Sequence, residues 1–179
     1  MASDNFIEAD QAPPAGWTQD SDLTDVVKVV SHQCTGTSNA VGGLIYFAAS
    51  SVASSQCVIT GSLSGIGPAI HCDGAGNGYF YSAGGALLRY DSGVPTALAI
   101  TGSGGTTGDT VLINRSGGNV LALLNGTQVM SAADSTYTGG HPGIAETQGP
   151  FVSVNMWTDG AGGGTVDEDG DFFQFLQAA

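Results

Sequence analysis

Short apolar runs separated by turn residues fill most of the chain, and this pattern limits the fold more than any other feature. The 29 glycines among 179 residues gather in small clusters between the runs. About twelve runs can be counted, with turn residues every 8–12 positions, which is typical of β-sandwiches and barrels. Only residues 20–30 carry a helical signal, and their β-branched content suits a strand equally well. The sequence therefore predicts an all-β fold.

Asn125-Gly126 gives the clearest local signal in the sequence. A type I′ hairpin turn needs φ above zero at both central positions, and this dipeptide tolerates it best. The turn should join the run 119–124 to the run 127–132. Two neighbouring antiparallel strands are therefore predicted here.

No internal boundary or fixed-period repeat divides residues 1–179, so one domain is expected over this range. The longest polar connections are residues 10–22 and 131–150, the second built around Gly139, Gly140, Pro142 and Gly143. Long loops on a rigid β scaffold are common places for function.

The charge balance excludes several classes of partner. Lys28, Arg89 and Arg115 stand against sixteen acidic residues, which gives a net charge of -13. Such a chain repels phosphate backbones and anionic lipid surfaces, so neither nucleic acid nor membrane is an expected partner. No apolar run reaches the length of a membrane span. The first ten residues also lack the features of a signal peptide, so synthesis in a cytosol is expected.

The three cysteines, Cys34, Cys57 and Cys72, are odd in number and have no CxxC spacing. This pattern argues against a zinc knuckle. Cys57 lies in an apolar run and is expected to be buried. Cys34 and Cys72 lie beside turn residues and could form a disulfide within the chain or between copies. Free reduced thiols are the favoured interpretation.

The order of motifs resembles the concanavalin A-like, laminin-G-like jelly rolls found in bacteriophage and bacterial proteins. Each motif alone is weak, but together they run over nearly the whole chain. The motifs are Asp4-Asn5-Phe6, Asp10, Trp17, Gly43-Leu44-Ile45-Tyr46, Ser55-Gln56-Cys57-Val58-Ile59, Gly67-Pro68-Ala69, Gly78 to Tyr81, Gly108-Asp109-Thr110, Asn125-Gly126, a turn at Pro142 to Ile144, and Trp157. The resemblance implies an antiparallel jelly-roll β-sandwich of two sheets with adjacent terminal strands. It does not imply one function, because this fold hosts lectins, hydrolases and structural proteins.

The sequence lacks the features of the familiar hydrolases. Jelly rolls that cleave β-glucans carry a Glu-X-Asp-X-X-Glu strand, whereas Glu8, Glu146 and Glu168 lie far apart here. Retaining chemistry needs two carboxyl groups about 5–5.5 Å apart. No HExxH or GxSxG motif is present either. We therefore predict no enzymatic activity, with an unrecognised aspartate pair as the less favoured alternative.

Aromatic and amide side chains suggest a carbohydrate site on one sheet face. Asn155 and Trp157 share one row of the run 151–157, and Tyr79 and Tyr81 could line the same surface. Such a row could hold a sugar by stacking and hydrogen bonds. In the alternative interpretation, Trp157 closes one end of the sandwich and the tyrosine hydroxyls reach water.

Three aspartates alternate near a glycine close to the C-terminus, at Asp167, Asp169 and Asp171. Hard oxygen ligands at this spacing can bind calcium. The alternative is an exposed acidic turn before the last strand. No other cofactor is expected.

The favoured function is that of a structural protein of a bacteriophage virion, as a capsid decoration or a head- or tail-fibre module. The resemblance implies a homo-oligomer, often a trimer, with capsid or tail proteins as partners and surface glycans as further ligands. The protein would be made in the host cytoplasm and located in the virion. A free-standing, lectin-like carbohydrate-binding module is the alternative, and a glycoside hydrolase ranks third.

Overall fold

The structure is a computed structural model and describes residues 2–6, 12–21, 27–36, 42–60, 65–101, 104–147, 153–159, 165–166 and 172–173. Its strands, in chain order, are β1 (Ser3–Asp4), β2 (Thr18–Gln19), β3 (Lys28–Val30), β4 (Gln33–Thr35), β5 (Gly43–Tyr46), β6 (Ser54–Ile59), β7 (Ile66–Cys72), β8 (Gly78–Ser82), β9 (Ala86–Asp91), β10 (Val94–Ile100), β11 (Thr110–Ser116), β12 (Asn119–Leu124), β13 (Thr127–Ala133), β14 (His141–Glu146), β15 (Ser153–Thr158), β16 (Thr165–Val166) and β17 (Phe172–Phe173).

Two large antiparallel sheets contain nearly all of these strands. The eight-stranded sheet has the order β13-β12-β11-β6-β15-β4-β3, with β1 paired to β15. The seven-stranded sheet has the order β10-β9-β8-β7-β14-β5-β2, and β16 pairs with β17 alone. The described residues contain no helix. The all-β, antiparallel jelly-roll sandwich predicted from the sequence is confirmed. In the described part of the chain, no helical segment has the length and apolarity of a bilayer span.

The core lies between the two large sheets, and alternate side chains of each strand point into it. In β8, for example, Tyr79 and Tyr81 point inward, while Phe80 points outward into a second, smaller apolar cluster. At one side of the core, the Trp17 ring meets the Trp157 ring edge-on, with 4.6 Å between centroids. The Trp17 indole N–H donates to Asp4 Oδ2 at 2.6 Å. The Asp and Trp motifs near the start of the sequence therefore stabilise the fold.

The predicted hairpin at Asn125-Gly126 is confirmed. Asn125 has φ of 49° and Gly126 has φ of 77°, and the turn joins β12 to β13. The Asn125 side chain also accepts a hydrogen bond from the Thr110 amide at 2.9 Å. The turn residue therefore holds the neighbouring strand β11 in place.

The predicted polar connection over 131–150 and the predicted turn at Pro142 to Ile144 are wrong. Residues 134–140 form the loop, and β14 follows it in the middle of the seven-stranded sheet. Proline is usually excluded from a central strand because it has no N–H to donate. Here the pairing with β7 shifts register between His141 and Gly143, so Pro142 lies at an irregularity in the ladder.

The possible Cys34–Cys72 disulfide is not formed, in agreement with the favoured interpretation of reduced thiols. None of the three cysteines forms a disulfide, and all three are buried. Cys34 lies in β4 of the eight-stranded sheet, whereas Cys72 lies in β7 of the other sheet, within the smaller apolar cluster. Neither side chain has any exposed surface, so neither is presented for a crosslink between copies.

Candidate functional site

The predicted sugar-binding row is a row of core residues instead. Trp157 is 1% exposed, and Tyr79 and Tyr81 have no exposed surface. The Trp157 indole donates to the Ser55 hydroxyl at 2.8 Å, inside the core. These rings cannot stack on a sugar because they already pack between the sheets. The alternative interpretation holds for the packing of Trp157 in the sandwich, but its second half is wrong, because the hydroxyls of Tyr79 and Tyr81 are buried and do not reach water.

The structure describes the other predicted site residues only in part. Asn155 lies in β15, but its side chain is outside the described portion of the molecule. Asp167, Asp169 and Asp171 also lie outside the described residues, so the calcium prediction stays untested. Within the described ranges, no group of three His, Cys, Asp or Glu side chains could hold a metal ion.

The outer face of the seven-stranded sheet offers no room for a sugar at its apolar cluster. A partly open cavity of about 10 Å³ lies among residues of that cluster together with Gly78 and Tyr79, and this is about the space that one water molecule needs. The buried members of the cluster are Leu44, Ala69, Cys72, Phe80, Tyr90 and Ala145. This cavity is therefore too small to hold a sugar ring.

Five connections meet at one end of the sandwich, which we call the loop end. They are held together by backbone hydrogen bonds, such as the one from the Gly93 amide to the Gly76 carbonyl at 2.8 Å. The Asp134 amide likewise donates to the Gly118 carbonyl at 3.2 Å. Rigid placement of this kind is what a loop-borne binding site needs. The loop end comprises residues 47–53, 73–77, 92–93, 117–118 and 134–140.

Arg89 of β9 binds two aspartates at the loop end. Its Nε donates to Asp91 Oδ2 at 3.0 Å, and its Nη1 donates to Asp134 Oδ2 at 2.6 Å. Nη1 also donates to the Thr136 hydroxyl at 3.1 Å. From inside the sandwich, the Tyr79 hydroxyl donates to Asp134 Oδ1 at 2.7 Å. Asp134 therefore connects a buried tyrosine to a partly exposed arginine.

These contacts keep both aspartates ionised. Burial disfavours the charge of Asp134, but hydrogen bonds from Tyr79, the following loop and Arg89 outweigh it and hold the pKa well below its usual value. Hydrogen bonds from Tyr137 and then Arg89 lower the pKa of Asp91. The acid catalyst of a glycosidase needs a raised pKa. Asp91 and Asp134 therefore have the character of fixed hydrogen-bond acceptors.

The Tyr137 ring covers this network. Its hydroxyl lies 2.6 Å from Asp91 Oδ1 and 3.0 Å from Asn77 Oδ1. Burial and then the bond to Asp91 raise the pKa of Tyr137 to about 12, so the phenol is protonated and donates. Arg115 Nη1 donates to the Tyr137 carbonyl at 2.6 Å, which fixes the backbone. The ring is partly buried and keeps one exposed part at the surface.

The turn between β7 and β8 is fixed on two sides. The Asp73 carboxylate accepts from the Ala75 amide at 2.9 Å and from Asn77 Nδ2 at 2.8 Å, as aspartates do in tight turns. From the other side, the buried Asp20 carboxylate accepts from the Gly76 amide at 2.9 Å. The exposed Asp73 therefore holds a defined position at the loop end.

A stacked pair of rings lies on the far side of this turn. The centroids of the Tyr46 and His141 rings are 5.3 Å apart, the angle between the ring planes is 15°, and both residues are partly buried. His141 Nδ1 lies 2.7 Å from the Ser50 carbonyl oxygen, and it carries the proton because a carbonyl only accepts. The Tyr46 hydroxyl lies so close to Gly74 that a Cβ there would be 2.9 Å from it. The pair is thus held between a loop and the turn.

The loop end thereby combines two aromatic surfaces with fixed acceptors between them. Ring faces can stack on the apolar faces of sugars, and carboxylate and amide oxygens can accept from hydroxyl groups. Sequence reasoning noted the connection 131–150 but did not assign the individual residues to one site, because most of them lie at or beside strand ends that meet only in the folded chain. The useful signal was the concentration of Asp, Asn and Gly where strands end. The residues that the sequence did not connect as one site are Tyr46, Asn77, Arg89, Asp91, Asp134, Tyr137 and His141.

Comparison with known proteins identifies a related fold. No protein-family model matches the sequence, and no curated protein matches it. A solved carbohydrate-binding module, CBM66 from Bacillus subtilis, superposes with a TM-score of 0.63 at 15% identity, over 79% of this chain and 91% of that chain. The two chains share a fold.

Weaker matches include two further solved structures. An apo Crh5 transglycosylase aligns with a TM-score of 0.48 at 12% identity, over 89% of this chain and 84% of that one. The carbohydrate recognition domain of Emp47p aligns with a TM-score of 0.45 at 10% identity, over 89% and 95%. None of these comparisons tests the predicted place in a virus particle.

Proposed function

We propose that this chain is a non-catalytic carbohydrate-binding module that holds its glycan at the loop end. The observation that carries the proposal is the pairing of the Tyr46–His141 stack and the Tyr137 ring on either side of a rigid polar turn. Aromatic faces supply contact area at low entropic cost, and fixed acceptors orient hydroxyl groups. This proposal follows the lectin-like alternative from the sequence.

The shared fold adds support because that neighbour is named a carbohydrate-binding module. Binding without catalysis also fits the lowered pKa values of Asp91 and Asp134. The virion role, the trimer and the capsid or tail partners stay predictions, and no feature described above favours them over a module acting alone.

Binding to a panel of soluble polysaccharides tests the proposal. Calorimetry or affinity electrophoresis would compare the wild type with Tyr46→Ala and Tyr137→Ala. Loss of a central aromatic contact should weaken binding at least about tenfold, or about 1.4 kcal/mol. No new reducing ends should appear during incubation.

Ile100→Ala provides the matched control. Ile100 is 72% exposed and lies at the opposite end of β10, so its removal reports on unspecific adsorption to apolar surface. It should bind as the wild type does. Equal affinity of all four proteins would place the glycan elsewhere, and thermal melting would show that each variant is folded.

A further inference from the structure

Positive charge from Lys and Arg at the loop end comes from two arginines, and both already bind groups of the protein. Only Lys28, Arg89 and Arg115 carry positive charge, against sixteen acidic residues. Lys28 lies in β3, at the edge of the eight-stranded sheet and away from this surface. Both arginines lie at the loop end, so recognition of a carboxylate or sulfate would depend on them.

Arg89 is already committed to protein carboxylates. Its Nη2 and Nε bind Asp91 at 3.0 Å each, and its Nη1 binds Asp134 at 2.6 Å. The Asp134 side chain is only 8% exposed. If a ligand drew Arg89 away, a largely buried carboxylate would lose its cation, which is costly.

Arg115 is committed as well. Its Nη1 donates to the Tyr137 carbonyl at 2.6 Å, and its side chain is partly buried. The bond holds the loop that carries one of the two aromatic surfaces. A ligand that took Nη1 away from the Tyr137 carbonyl would therefore loosen the site.

The most exposed charged side chains of the described loop end are carboxylates, and neutral hydroxyl groups such as those of Ser92 and Ser135 are exposed beside them. Asp73 is exposed, and the Asp91 side chain is 39% exposed. An ionised carboxylate accepts hydrogen bonds and cannot donate them, so its ligand must bring donors. Hydroxyl groups meet this need, whereas uronates and sulfates add like charge to a chain of net charge -13.

We propose that the loop end selects neutral, hydroxyl-rich glycans and rejects glycans that carry carboxylate or sulfate groups. This inference rests on the proposed function and narrows its ligand class.

A pair of probes with the same backbone tests the selection. The neutral probes would be the polysaccharides dextran, laminarin, mannan, galactan and arabinan. For each one that binds, its affinity would be compared with that of its own derivative carboxylated at C6 or along the chain. Polygalacturonate, alginate and hyaluronate would be tested directly. We expect carboxylated probes to bind at least about tenfold weaker, because like charges at an interface cost several kcal/mol. Affinity for the neutral probe should change less than about twofold between about 20 and 500 mM NaCl.

The outcomes separate the two proposals. If an anionic polymer binds as tightly as its neutral form, and Tyr46→Ala abolishes this binding, the loop end is a glycan site but the selection for neutral glycans is refuted. If no polysaccharide binds, or if Tyr46→Ala and Tyr137→Ala bind like Ile100→Ala, the proposed function itself fails.

Discussion

Ser55 connects the two sheets through a single hydroxyl group. Its Oγ donates to the Gly143 carbonyl at 2.8 Å in the other sheet and accepts from the Trp157 indole at 2.8 Å. All three groups are buried. The largest ring of the core is therefore fixed by a polar contact as well as by packing.

We expect Ser55→Ala to lower the free energy of unfolding by about 2 kcal/mol, because it leaves a buried donor and a buried acceptor unpaired. Urea unfolding would show a lower midpoint at an unchanged slope. Ser131→Ala, on the exposed side of β13, is the control and should change stability by less than about 0.5 kcal/mol. Equal effects of the two substitutions would contradict the bridge.

His71 makes the stability of the fold depend on pH. It is 4% exposed and lies edge-on to the Tyr79 ring at 5.9 Å. Burial, and then the charge of Arg115, lower the pKa of His71 below its ordinary value. The unfolded chain therefore takes up a proton, at about pH 6.5, that the folded chain still resists. Stability is fully present above this pH and falls as the pH drops toward the folded pKa.

His71→Asn should remove this pH dependence, measured as the urea midpoint between about pH 7 and pH 5. Asparagine suits the position because it tolerates the left-handed backbone, and His71 has φ of 58°. His32→Asn is a matched control, since His32 has φ of 61° but is exposed. A pH slope that survives in His71→Asn would show that another group causes it.

Side-chain roles were the hardest feature to predict. Alternation placed Tyr79, Tyr81 and Trp157 in rows, but it could not say which face was buried, because the neighbouring rows were apolar too. Tyr137 was missed because its partners, Asp91 and Asn77, are 46 and 60 residues away in sequence. Contacts of this range follow only from the pairing of strands.

Strand positions, in contrast, could be predicted from the residues within and next to each strand. The hairpin at Asn125-Gly126 needed only its own two residues, whereas β14 was missed because Pro142 and Gly143 resemble a turn. Gly143 packs its Cα hydrogens against the Ile45 carbonyl of β5, where a Cβ would overlap with the oxygen. A glycine required by sheet packing has the same appearance in sequence as one required by a turn.

The hairpin turn gives a test at the level of the strand pair. Gly126 has φ of 77° and no atom near the position of a Cβ, so Gly126→Ala adds backbone strain without a clash. We expect it to lower the free energy of unfolding by about 1–2 kcal/mol. Gly118→Ala is the control, since Gly118 has equal space and lacks a positive φ. It should be neutral or stabilise by about 0.4–1 kcal/mol. Equal losses in denaturant titrations would contradict the assignment of the turn.

The whole molecule carries a net charge of -13 at pH 7, which opposes its own compaction. Salt screens this repulsion, so the melting temperature at pH 7 should rise by several degrees between about 20 and 500 mM NaCl. At a pH near the isoelectric point of 4.1 the same salt change should have little effect, because the net charge is close to zero. A similar rise at both pH values would show that salt acts through apolar burial instead.

Labelling of the three buried cysteines can report on local opening of the two sheets. Cys34 and Cys57 lie in the eight-stranded sheet and Cys72 in the seven-stranded sheet, and none of them forms a disulfide. Burial raises the pKa of the Cys57 and Cys72 thiols, so the reactive thiolate is scarce in the folded chain. An alkylating reagent would then label each sulfur only when its own strand opens. The order in which the three sulfurs are labelled would reveal which sheet separates first, without any inserted probe.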